Sequence, residues 1–158
     1  MDEPDWERRL ALLWASIDSH DDFPAEMAEL VAERPPDDPI GLFEQGSALD
    51  STGHPDLAVD SYRAALAAGL SGCRRRRATI QLASSLRNLG QATESVALLT
   101  AELDRPSDDL DDAVRAFLAL ALTTVGRERE AVSMALTALA PHLTRYNRSL
   151  AAYAVDLV

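Results

Sequence analysis

Three glycines constrain this chain more than any other feature. Gly53, Gly90 and Gly126 each stand between two apolar, helix-patterned stretches, and they are 37 and 36 residues apart. A glycine at such a point lets the backbone leave a helix through a positive φ with no Cβ penalty. Around residues 39–70 the sequence PIGLFEQGSALDSTGHPDLAVDSYRAALAAGL predicts two helices joined at Ser51-Thr52-Gly53. The first carries Leu42, Phe43 and Leu49 inward, with Gly46 where another helix can come close. The second sets Ala58, Tyr62, Ala65 and Leu66 on one stripe, at the spacing of an amphipathic helix.

The same plan returns twice, in phase. Equivalent apolar positions recur as Leu49, Leu86 and Leu122, and the close-contact position as Gly46, Ala83 and Ala119. The triad Ala58, Tyr62 and Ala65 is matched by Ser95, Leu99 and Glu102, then by Ala131, Ala135 and Ala138, with alanine where the first copy has its ring. The extra length of each period falls in the connections 69–72 and 107–109. Together these residues resemble the tetratricopeptide repeat, a helix–turn–helix unit of roughly 34 residues. The resemblance implies an all-α fold, a right-handed superhelical array of antiparallel helix pairs closed by a C-terminal capping helix. Departures from the family pattern are Leu42 at its tryptophan site and Leu49 at its tyrosine site. The expected layout is one domain over 1–158: an N-terminal helical pair at 5–36, repeats at 39–72, 74–107 and 110–141, and the cap at 143–158.

Composition agrees. Hydrophobic residues make up 47% while aromatics are only 5%, which suits closely packed helices better than strands. No apolar run approaches the roughly 18 residues of a membrane span, the start MDEPDWE is unlike a signal peptide, and one cysteine makes no disulfide framework. A cytoplasmic address is the expectation. All 15 basic residues are arginine, and the net charge is −11. Of this, −9 falls within residues 1–38 and −2 in the remainder. Such a chain repels nucleic acid and anionic membrane.

At the N-terminal end, Pro4 opens a helix with Asp2 as its cap, and Trp6, Leu10, Leu13, Trp14 and Ile17 form its apolar stripe. A second helix follows, capped by Asp22, with Phe23, Met27, Leu30 and Val31 inward, and Pro35-Pro36 ends it. This pair reads either as a degenerate repeat or as an unrelated helical extension. At the other end, Leu143, Tyr146, Leu150, Tyr153 and Leu157 are expected on one face of a final helix, the tyrosines lying over the third repeat.

Catalytic signals are missing. His20, His54 and His142 share no helix face at metal-ligand spacing, and Cys73 has no histidine or second cysteine beside it in the sequence. The pairs Asp21-Asp22, Asp37-Asp38, Asp108-Asp109 and Asp111-Asp112 precede helices or fall in first turns, where free N–H groups and the dipole favour negative charge. No cofactor, metal site or enzymatic activity is expected.

Arg74-Arg75-Arg76-Arg77 runs against that logic, since it puts four positive charges at a helix start. Either acidic neighbours offset it, with Asp56, Asp60, Asp111 and Asp112 as candidates, or an acidic ligand does. In the family the first helices of successive repeats line a concave groove. The resemblance then places Phe43, Ser47 and Asp50 there from one repeat, Arg77, Ile80, Ser84, Arg87 and Asn88 from the next, and Leu120 and Thr123, with Ala116, from the third. The family's carboxylate-clamping residues are poorly matched, since Phe43 and Ser47 stand where Lys and Asn usually do. The reading is therefore a non-catalytic interaction module binding an acidic or mixed peptide segment weakly, as a monomer or weak homodimer. The alternatives are a self-associating scaffold and a binder of small anions.

Overall fold

The computed structural model describes residues 2–20 and 22–158; Asp21, half of the first acidic pair, lies outside the described residues. All regular structure among them is helical: α1 (Glu3–Ala15), α2 (Phe23–Val31), α3 (Pro39–Ser51), α4 (Pro55–Ala67), α5 (Gly72–Asn88), α6 (Ala92–Leu103), α7 (Asp111–Thr124), α8 (Glu128–Leu139) and α9 (Asn147–Val155). Single 3-10 turns stand at Ile17–Ser19 and Ala140–His142. Contacts divide the chain into two compact units, the first ending at Ala78 within α5 and the second starting at Thr79.

In the first unit, Trp6 and Leu10 of α1 share a core with Phe23, Met27 and Leu30 of α2 and Ala48 of α3. The Trp6 indole donates to the Leu30 carbonyl at 3.1 Å, which ties α1 to the end of α2. Asp22 and Asp38 cap α2 and α3, accepting from the N–H of Ala25 (3.3 Å) and Gly41 (2.7 Å). Asp2 stands at the N-cap of α1 without a side-chain cap bond. Gly46 makes the predicted close approach: a Cβ there would sit 3.0 Å from the Tyr62 ring and from Ser61 Cβ. Leu42 and Leu49 are only half-buried, while Phe43, Glu44, Ser47 and Ala48 are buried. Helix α3 packs against both α2 and α4, so its buried surface wraps well beyond the expected single stripe.

In the second unit, Ile80 and Ala83 of α5, Leu99 of α6, Val114, Leu118 and Leu122 of α7, and Ala131 of α8 form one core. The weak middle triad is buried in full, Ser95, Leu99 and Glu102 alike. In the third triad Ala131 and Ala138 are buried and Ala135 is exposed.

One turn serves all three pairs. Gly53, Gly90 and Gly126 take φ of 87°, 83° and 76°. The N–H of the following residue reaches back to the leucine four places before the glycine: His54 to Leu49 at 2.9 Å, Gln91 to Leu86 at 2.8 Å, Arg127 to Leu122 at 3.0 Å. Each glycine N–H bonds the carbonyl three residues before it, completing a Schellman motif. The repeating leucine is therefore the residue whose free carbonyl the turn satisfies.

The C-terminal expectation needs correction. Residues 143–146 are not helical, Tyr146 sits in the left-handed region at φ 67°, and α9 starts only at Asn147. With its first turn unwound, the stripe from Leu143 to Leu157 does not lie on one helix. Ala154 is the residue α9 buries, and Tyr146 and Tyr153 stand exposed rather than covering the third pair.

Candidate functional site

The arginine tetrad divides into engaged and available members. Arg74 is engaged within the first unit, with Nε 2.9 Å from Glu44 Oε1 and a terminal nitrogen 2.7 Å from Glu7 Oε2. The Trp14 indole donates to the other Glu44 oxygen at 3.0 Å, so a carboxylate only 2% exposed has two charge-matched or polar partners. Burial works against the Arg74 charge, but its two carboxylates more than restore it and hold its pKa above the ordinary value. These partners come from α1 and α3 and not from the aspartates expected. Asp112, one of those candidates, is held by Arg115 at 2.9 Å and faces His142 at 2.8 Å. Arg75 and Arg76 also interact within the protein.

Arg77 differs. It is exposed, makes no ion pair among the described residues, and lies with its guanidinium carbon 5.2 Å from the centre of the Phe43 ring. Such cation–π contact orients the head group without neutralising it. Phe43 packs on Tyr62 with ring centres 6.2 Å apart, and the Tyr62 hydroxyl points to Asp50 at 3.4 Å. Burial, then the nearby Asp50 carboxylate, push the Tyr62 phenol well above its usual pKa, so it stays a neutral donor. In the first unit the structure thus gathers Phe43, Ser47, Asp50 and Arg77. Phe43 and Ser47 are buried, Asp50 is half-buried, and Arg77 is the exposed cation.

In the second unit Ile80 is buried, Ser84 and Arg87 are half-buried and Asn88 is exposed. The Arg87 head group donates to Asn88 Oδ1 at 3.0 Å, while its Nε is buried without a partner. Leu120 and Thr123 are exposed and line an open apolar cleft of about 420 Å³, with Ala116 beside them and Val132 and Ala135 opposite. The repeat register explains this cleft. Phe43 and Tyr62 correspond to Ile80 and Leu99, and then to Ala116 and Ala135. The facing pair shrinks along the chain, and where both members are alanine the space is left open. Val132 and Ala135, on the second helix of the pair, were not among the expected site residues. The alanine at the aromatic position was the signal that pointed to them.

The histidines are dispersed: His20 meets Ser16 Oγ at 3.0 Å, His54 meets Thr52 Oγ1 at 3.3 Å, and His142 meets Asp112. Cys73 is exposed and unpaired with any other cysteine. Among the described residues, no three His, Cys, Asp or Glu side chains cluster so as to hold a metal ion. No helix there is long and apolar enough to cross a membrane.

A family model described as "Tetratrico peptide repeat" matches residues 39–157. No curated protein and no solved structure matches the chain.

Proposed function

The chain belongs to the tetratricopeptide-repeat family, and from that premise we propose that it is a module that binds a peptide segment of a partner protein. Repeat proteins of this kind are generally non-catalytic scaffolds. The observation that carries the reading is Arg77. Of the tetrad, Arg74 is taken up inside the first unit, whereas Arg77 is held over Phe43 with its charge unmatched among the described residues. A guanidinium so placed is ready to take a carboxylate through two parallel hydrogen bonds. In the second unit, Ser84, Arg87 and Asn88 offer further polar groups on helices of the kind that line the groove in this family. Leu120 and Thr123 supply an apolar one. This composition suits an acidic or mixed peptide. Helix α9 packs on α8, which supports a capping role for it over the third pair.

The test compares the wild type with a variant carrying Arg77→Glu and Arg87→Glu, both first shown folded by far-UV circular dichroism. Each is used to capture partners from an extract of the source cell. A protein bound by the wild type and lost by the variant supports recognition through these arginines. Equal retention by both rules it out. If neither captures a protein and sedimentation shows salt-sensitive dimers, the chain is a self-associating scaffold instead.

A further inference from the structure

The second unit holds a different surface at its C-terminal end. The turn Ala140–His142 and the start of α9 leave a cleft of about 390 Å³ against α7 and α8. Ala140, Pro141 and Ala151 give it apolar walls, and Arg115, Asn147 and Arg148 stand at its edge. It shares no residue with the Arg77 face. No acidic side chain lines it. The surrounding sequence departs from the character of the chain, which carries −11 overall: residues 131–155 contain His142, Arg145 and Arg148 and not one Asp or Glu.

The charges facing the cleft are unequal in their commitments. Asp112, on α7, holds Arg115 at 2.9 Å and faces His142 at 2.8 Å, so Arg115 is partly neutralised. Arg148 is exposed, and no ion pair among the described residues involves it. At physiological salt, fields fade over roughly 8 Å, so a ligand at this rim responds chiefly to the charged side chains next to it.

We infer that this cleft is a second docking site, for an acidic peptide segment in which a bulky apolar side chain neighbours a carboxylate. The apolar side chain fills the space against Ala140, Pro141 and Ala151, and Arg148 takes the carboxylate through its planar fork. Charge complementarity selects the occupant. The walls are apolar, so a nucleic acid, which needs a row of cations tracking its phosphates, does not fit.

The experiment titrates the full chain against a fluorescein-labelled peptide, Glu-Leu-Asp-Phe-Glu-Leu, and against the same peptide with lysine in place of each acid. Saturable binding of the acidic peptide alone is expected. It should weaken roughly tenfold on Arg148→Glu, the loss of one charge-assisted contact and its replacement by repulsion. It should also weaken on Ala151→Trp, which plugs the apolar wall, and stay unchanged on Arg8→Glu, at an exposed arginine of α1 outside both faces. Circular dichroism and melting check each variant. Should Arg148→Glu melt early, Arg148→Gln decides in its place. The inference fails if the wild type shows no saturable binding, if the lysine peptide binds equally, or if the Arg148 and Ala151 variants both bind as the wild type does. Loss on Arg77→Glu with retention on Arg148→Glu would assign the peptide to the Arg77 face and also overturn it. Decanoate binding without peptide binding would assign the cleft to small amphiphiles, with the same result.

Discussion

Glu44 has the most to lose of any side chain in the first unit. It is a carboxylate almost wholly removed from water, and it remains there because Arg74 and the Trp14 indole each meet one of its oxygens. Removing one partner of a buried pair is far more damaging than the pair's net contribution, since the survivor keeps its desolvation penalty. Glu44→Ala should therefore lower unfolding free energy by about 3 kcal/mol, read by urea denaturation, although Arg74 retains Glu7. The cluster was hard to read from the sequence. A glutamate two residues before Gly46 on an amphipathic helix looks like solvent-facing polarity, and its partners lie 30 residues away on either side. By contrast the caps at Asp22 and Asp38 were legible, because a cap is a local device set by residue type.

At the scale of a helix pair, the small position is fitted to its large partner in the first pair, and that fit is relaxed along the chain until both are alanine. Gly46 faces Tyr62, while Ala83 and Ala119 stand in register with Leu99 and Ala135. The glycine is needed only because the ring is there. Gly46→Ala alone should destabilise by about 1–3 kcal/mol through overpacking against the ring and Ser61. Adding Tyr62→Leu should recover part of that loss, giving a favourable coupling in a double-mutant cycle followed by thermal melting. The helix pairs and their turns were legible because period, glycine and stripe all pointed one way. The final helix was not. Its 3–4 spacing continued through Leu143 and Tyr146, but a 3-10 turn at Pro141 and a left-handed Tyr146 break the register before α9 begins. The site was legible in part. Arg77 stands out on its helix, but the burial of Phe43 and Ser47 depends on neighbours that periodicity does not reveal.

For the whole molecule, the acidic composition makes the response to pH directional. Burial tends to raise the Asp38 pKa, yet its bonds to Arg34 and the Gly41 N–H hold it below the ordinary 3.8. Asp5 and Glu130 are likewise lowered, by hydrogen bonds to Arg8 and Arg127. A carboxylate with a lowered folded-state pKa stabilises the fold above its unfolded value, and that contribution is lost as pH falls through the folded value. Melting temperature should thus drop as pH is taken below about 4. Asp38→Asn, about 2 kcal/mol less stable at pH 7, should show a flatter decline over that acid range. The Glu44 cluster also bears on how the protein is made. A ribosome releases Trp14 and Glu44 well before Arg74, because synthesis runs in one direction. For that interval the nascent chain holds an acid with no base to answer it, and the interior around α3 stays open to water. The first unit is therefore expected to resist protease only in nascent chains long enough to have released α5, and to stay sensitive in shorter ones.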